Sequence, residues 1–221
     1  MPDDRSRSMC VYRGGKVDMA IDHNFIRENF TSLGLFGDEE TGLLRRFGVI
    51  LNADPVGFLV GRELDFINTL GSSSRNLSEK VLIDAAQWCA NATFGGIMAS
   101  PEWAALIEPH VKTPTDRLDG LVAITNCLGW GKMEDVKLDE GAQTLEYKVK
   151  DSYYVGYWIK KYGKSDRPIC YMWTGVAGGY LDLLFGSKVH DFDGEEVSCG
   201  AVTGETYCIY RARKLRKKFG L

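Results

Sequence analysis

Between Asn24 and Phe66 apolar residues recur at intervals of three and four, as in Leu43, Leu44, Phe47, Ile50 and Leu51, and Asp38 and Glu39 stand ahead of that run where acidic side chains favour a helix start. The pattern predicts two short helices. A Gly-Ser connector, Gly71 to Ser74, separates them from Leu77 to Met98, in which Val81, Ala85, Trp88, Cys89 and Ala92 form one helical apolar stripe. That stripe is expected to face the core. Ser100-Pro101 then caps a further short helix through Leu106.

After Pro114 the pattern reads as strands: Leu118 to Leu128, Val136 to Leu138 and Thr144 to Val149, joined by turns at Gly129-Trp130-Gly131 and Asp139-Glu140-Gly141. Three strands in succession predict an antiparallel meander. In the third, Leu145, Tyr147 and Val149 alternate with Glu146, Lys148 and Lys150, so one face is buried and the other wet. Asp151-Ser152 opens a helix to Tyr162 with Tyr154, Tyr157 and Trp158 on its aromatic side, and Gly163 ends it. Ser165-Asp166-Arg167-Pro168 reads as the start of a helix reaching about Phe185, with Gly186 at its C-cap. Inside it Gly175, Gly178 and Gly179 each cost roughly 1 kcal/mol relative to alanine. They imply a close approach, by another backbone or by a ligand. The last unit is a hairpin, Glu196 to Val202 and Glu205 to Ala212, with its turn at Thr203-Gly204. Together these elements predict a mixed α+β fold, an antiparallel sheet packed with helices.

At 221 residues and 44% apolar content, the chain can bury one substantial core. Twenty-seven basic and thirty acidic residues leave a formal charge of −3, which does not favour a nucleic-acid partner. A basic cluster does close the chain, in Arg211, Arg213, Lys214, Arg216, Lys217 and Lys218, and reads as a solvated terminus. Residues 1 to 18 carry Asp3, Asp4 and four basic residues without a signal-peptide pattern, and no stretch approaches the ~20 apolar residues of a membrane span. A cytoplasmic protein with no membrane contact is expected. In a reducing compartment its six cysteines are better read as metal ligands or buried thiols than as a disulfide framework. Cys10, Cys89 and Cys127 have no partner-like spacing and read as free thiols, with Cys89 and Cys127 in the core.

The hairpin symmetry places Cys199 opposite Cys208, with Cβ atoms ~4.5–5.5 Å apart. Two such cysteines can share a metal, form a disulfide, or simply fill the core. Cys170, in the first turn of the glycine-rich helix, can add a third thiolate. Strict alternation along the strand puts Glu195 on the Cys199 face, so Glu196 can join only if the strand bulges. Three cysteines and a carboxylate without histidine suit zinc in a closed, structural shell.

Beyond spacing, Ser165-Asp166-Arg167-Pro168-Ile169-Cys170-Tyr171-Met172, then Gly175-Val176-Ala177-Gly178-Gly179-Tyr180, then Glu196-Val197-Ser198-Cys199 with a later Gly204 and Cys208, resemble the 4-vinyl-reductase-type domain. The likeness is greatest to the version that serves as sensor domain in phenol- and xylene-responsive bacterial activators, and it spans residues 118 to 213. It implies a structural zinc on Cys170, Glu196, Cys199 and Cys208, and so selects Glu196 over Glu195. The interval from Cys199 to Cys208 is one residue longer than in those sensors, and residues 186 to 195 carry an insertion. The resemblance also implies an apolar ligand pocket. The sensors' phenol-contacting histidine and tryptophan correspond to Asp116 and Val149, and an aromatic position survives as Tyr147; Trp173 and Thr174 are counted with the lining. Replacing tryptophan by valine enlarges the pocket, and a carboxylate at Asp116 would bind an amine or a hydroxyl donor.

These readings divide the chain into a helical extension over residues 1–75 suited to dimerisation, a ligand-binding domain over 76–213 and a basic tail over 214–221. The expected function is a non-catalytic, zinc-containing sensor module for a small aromatic or other apolar molecule, working as a homodimer. The activator relatives carry an ATPase and a helix-turn-helix that this chain lacks, so output is expected through a partner protein or through dimer rearrangement. Alternatives are a tetrapyrrole-binding protein that assists vinyl reduction or pigment delivery, and an accessory subunit of an enzyme. Catalysis is not favoured: no dinucleotide fingerprint is present, and His23, His110 and His190 are scattered. Asp191, Asp193, Glu195 and Glu196 lack the spacing of a calcium loop.

Overall fold

The computed structural model describes residues 21–32, 37, 39–46, 49–52 and 54–215. Asp38, Phe47, Cys10, the acidic and basic residues of the first 18 positions, and Arg216 to Lys218 lie outside the described residues. In chain order the elements are α1 (His23–Ser32), β1 (Leu44–Arg46), β2 (Val49–Leu51), α2 (Val56–Leu70), α3 (Arg75–Met98), α4 (Pro101–Leu106), α5 (Pro114–Thr125), β3 (Lys132–Asp139), β4 (Thr144–Lys150), α6 (Tyr153–Tyr162), α7 (Tyr171–Leu184), β5 (Phe192–Ser198), α8 (Gly200–Thr203) and β6 (Tyr207–Lys214). The fold is mixed α+β. β3, β4, β6 and β5 form, in that order, a four-stranded antiparallel sheet. α7 lies against β5 and β6, and α3 covers its other side, which gives three layers with α7 in the middle.

The glycines of α7 explain that layering. A Cβ on Gly175 would come within 2.5 Å of Gln87 N and Ile83 O, and one on Gly179 within 3.1 Å of Gln87 O, so the close approach inferred from the sequence is made by the α3 backbone. Gln87 completes the joint, with its amide donating to Asp182 Oδ2 (2.7 Å) and to the Phe192 carbonyl (2.9 Å). α3 therefore buries Ser78, Ala86, Gln87, Ala90, Phe94 and Ile97. The stripe expected in the core, Val81, Ala85, Trp88, Cys89 and Ala92, points to solvent. A helix apolar on most sides offers two candidate faces, and the need for small residues opposite the α7 glycines selects the one with Ala86 and Ala90.

Four other expectations are corrected. β1 and β2 pair antiparallel where a helix was expected, Leu44 with Leu51 and Arg45 with Ile50; the β-branched pair Val49-Ile50 suits a strand, while the apolar spacing had favoured a helix. Residues 118–125 are helical: Thr113 and Asp116 form a capping box, Pro114 stands in the first turn, and burial on all sides removes the polar face that periodicity needs. The meander thus loses its first strand. α7 starts at Tyr171, because Ser165 forms a local turn, its hydroxyl accepting from the Arg167 N–H and donating to the Arg167 carbonyl, while Ser165 N–H donates to Ala201 O. The final hairpin is not closed by two residues: β5 ends at Ser198, α8 turns the chain, and Gly204, at φ 88°, accepts the left-handed step out of it.

Candidate metal centre and aromatic cluster

Four elements bring together Cys170 at the N-cap of α7, Glu196 in β5, Cys199 at the N-cap of α8 and Cys208 in β6. Their ligand atoms all lie within 4.8 Å of one another. The expectation that Glu196 needs an irregular strand is met. Phe192 and Glu196 point inward with period two, the register shifts between Glu196 and Ser198, and Val197 is turned outward at 44% exposure. The bulge restores Cys199 to the Glu196 side and leaves Glu195 on the wet face opposite Arg211.

The donor set fits a tetrahedral cation. Cys170 Sγ and Cys208 Sγ are 3.8 Å apart, far beyond a disulfide, whereas two thiolates each about 2.3 Å from one zinc stand about 3.8 Å apart. Both Glu196 oxygens are oriented, Oε2 by the Cys170 N–H (2.9 Å) and Oε1 by the Tyr210 hydroxyl (3.4 Å), and the Gly200 N–H donates to Cys208 Sγ (3.3 Å). Burial, with the neighbouring Cys199 charge, pushes the Glu196 carboxyl up to about 8; hydrogen bonds from Cys170 and Cys208 hold the Cys199 thiol well below the thiol range. Burial pushes Cys170 up. Burial thus works against ionising all four groups together, and a divalent ion, which the cluster could hold, would offset that cost.

Tyr147, Val149, Trp173 and Thr174 are buried beside this cluster. Val149 pairs with Cys208 across β4 and β6, and Thr174 Oγ1 donates to the Cys170 carbonyl (3.0 Å). The Tyr147 hydroxyl donates to Trp173 O (2.7 Å). The Trp173 ring meets those of Trp130, Tyr147 and Tyr210 at 6.2–6.3 Å between centroids, and Phe94 extends the group to Tyr180. The Trp173 Nε1 is buried without a hydrogen-bond partner. Sequence reasoning missed Phe94, Trp130, Tyr180 and Tyr210; the alternation of β6, which buries Cys208, Tyr210 and Ala212 on one face, was the available signal for Tyr210.

Asp116 stands apart. It is the third residue of α5, and its Oδ2 accepts from the N–H groups of Lys112 and Thr113 at 2.9 Å each. Slight burial pushes its carboxyl up, but those bonds outweigh it and leave it ionised below the ordinary range. Its carboxylate is committed to the helix cap. Cys89 is exposed, not buried, and Cys127 is half-buried. Of the histidines, His23 makes a short pair with the buried Asp119, which also accepts from the Ile21 N–H and so ties the start of α1 to α5. Arg211, Arg213 and Lys214 belong to β6, where Arg211 pairs with Glu146 (2.7 Å).

Among the described residues no helix is long and apolar enough to cross a membrane. No protein-family model matches the chain, and no curated protein sequence is similar to it. A solved structure does share its fold. The phenol-responsive sensory domain of the transcription activator PoxR, crystallised with phenol, superposes with a TM-score of 0.67 over 89% of this chain and 92% of that one, at 15% identity. A trafficking protein particle complex subunit 3 from Naegleria fowleri, covalently bound to palmitic acid, matches with a TM-score of 0.46 over 73% of this chain and 91% of that one, at 11% identity.

Proposed function

We propose that this protein is a zinc-containing sensor module of the 4-vinyl-reductase type, in which residues 76–213 bind a small, flat apolar molecule and the 1–75 segment and the 214–221 tail are appendages. The observation that carries the reading is the buried, unpartnered Trp173 N–H inside a group of aromatic rings, next to a donor set sized for one cation. An unmet buried donor costs about 1–3 kcal/mol, which an acceptor atom of a ligand would recover. The fold shared with a sensory domain solved with phenol supports the same class of occupant. Zinc would pin Cys170 to the β5–β6 edge and so fix the first turn of α7, from which Trp173 and Thr174 project. The ligand would then be oriented by one hydrogen bond and held by stacking, with no reacting group required. Output passes to a partner protein or a second copy.

The test is calorimetric titration of the zinc-loaded protein with matched pairs that do or do not carry an acceptor oxygen, phenol against toluene and benzaldehyde against styrene. The oxygenated member of each pair should bind more tightly, and Trp173→Phe should reduce that preference by about 5- to 100-fold while leaving the hydrocarbon unchanged. Absence of binding by all four, or a preference that Trp173→Phe leaves intact, would reject the reading.

A further inference from the structure

Of the rings gathered around Trp173, one is held differently from the rest. Phe94, Tyr147, Tyr180 and Tyr210 are, like Trp173 itself, fully buried, and all stand on helices or strands. Trp130 is half-buried and stands on the loop from α5 to β3, between Gly129 and Gly131, whose φ angles of 78° and 144° lie in the region that favours glycine. Its indole meets Trp173 edge-on at 6.2 Å and Phe94 edge-on at 6.1 Å. The two ends of the loop are tied to each other: the Asn126 side chain accepts from the Met133 N–H (2.7 Å) and donates to the Met133 carbonyl (3.2 Å). Between those ties, among the described residues, no backbone hydrogen bond is made by residues 129–131. Gly131 has no room for a side chain, since a Cβ there would come within 2.9 Å of Val149 Cγ1 and 3.5 Å of Trp173 Cζ2. The loop backbone therefore rests directly on the cluster.

We propose that Gly129-Trp130-Gly131 is the entry gate of the aromatic cluster, with the Trp130 indole as its movable plug and a small flat aromatic molecule as what passes it. The inference rests on the reading of the cluster as a binding site and adds the route by which a guest gets in. Trp173 has no solvent exposure, so a guest that reaches its N–H must first displace a neighbour. Displacing Phe94, Tyr147, Tyr180 or Tyr210 would distort a helix or a strand that its own backbone hydrogen bonds hold. Tyr147 and Tyr180 are further anchored through their hydroxyls, to the Trp173 carbonyl and to the Thr125 hydroxyl. Trp130 needs only rotation of the backbone at the two glycines that flank it, with the Asn126–Met133 tie as the fixed base of the swing. An opening of that kind breaks few contacts and leaves the sheet and α7 intact. The edge-on contacts with Trp173 and Phe94 close it again.

The test follows the Trp173 indole N–H, which is buried without a partner and exchanges with solvent only when water reaches it. Hydrogen exchange is read by NMR on the isotope-labelled full chain in zinc, and Trp173→Phe identifies the signal among those of the five tryptophans. The Trp173 indole should be about tenfold or more less protected than the backbone amides of Val176 and Ala177, and low urea should leave its exchange unchanged, the mark of a local opening. Trp130→Ala should lower its protection relative to those amides by about a further tenfold, with the Trp103 indole, bonded to Glu108 (2.7 Å), keeping its own ratio to them. Stopped-flow mixing with phenol should show association with Trp130→Ala faster by about threefold or more than with the parent. Equal protection and equal urea dependence for the Trp173 indole and the two amides, a ratio that Trp130→Ala leaves unchanged, or an unaltered phenol association rate would each overturn the inference. Exchange is followed without any guest, so a gate that opens in a protein that binds no phenol would count against the binding reading and not against the gate.

Discussion

Replacing Cys199 by serine removes one corner of the four-donor cluster without changing its volume much. A neutral hydroxyl cannot supply the charge that the thiolate brings, and the remaining Cys170, Cys208 and Glu196 are three acidic groups in a buried place with an incomplete shell. The loss is therefore of the ion as a whole. If zinc is present at a thousandfold its dissociation constant, it stabilises the folded state by about 4 kcal/mol. For a domain of this length each kcal/mol moves Tm by about 2–4 °C, so Cys199→Ser is expected to melt about 8–16 °C below the parent. The assay is metal content by mass spectrometry together with thermal melts, each with and without a strong chelator. The chelator should bring the parent down to the variant and leave the variant unmoved. Cys89→Ser, the same exchange on the exposed face of α3, should alter neither quantity. One retained zinc equivalent in Cys199→Ser, or a parent whose melting the chelator does not touch, would refute the reasoning.

Glu196 predicts a pH dependence for the chelated protein. Its folded value, about 8, is above the ordinary 4.5, so the folded state disfavours the charged form. The stability associated with the neutral carboxyl is fully present below pH 4.5 and is lost as pH rises to about 8, by several kcal/mol at most. Glu196→Gln in chelator should flatten that slope, and a melting temperature of the chelated parent that rises between pH 5 and 8 would contradict the assignment. At the α3–α7 joint, Gly175→Ala pushes a methyl against Gln87 N and Ile83 O, backbone atoms that cannot yield, and should cost about 2–3 kcal/mol in urea unfolding. Gly156→Ala in α6, with open space around it, should instead gain about 0.5–1 kcal/mol; equal effects at the two sites would show that the approach is not close.

The site was more legible in the sequence than the path of the chain around it. Cys199 and Cys208 were placed by hairpin symmetry, and Ser198 does pair with Ile209, the register which that symmetry requires, although the turn is helical. The choice between Glu195 and Glu196 turned on a single extra residue, Val197, and residue propensity does not register a bulge. Asp116 was misplaced because a capping carboxylate and a pocket carboxylate look alike until the N–H groups of Lys112 and Thr113 are seen bound to it. Residues 118–125 resisted assignment for a different reason: a helix buried on every side has no polar period to read. In α3 the period was read well and its direction was not, since two apolar faces of one helix differ only in what lies opposite them.

The glycines that seat α7 on α3 leave almost no side-chain cushion between the two backbones. A joint of that kind has little give, so a displacement at one side is carried across as translation of the whole rod and is not absorbed by rotamer changes. The end of α7 that bears Cys170 is thereby joined backbone to backbone to α3, so a substitution that shifts that end is expected to be felt on the α3 surface that carries Trp88.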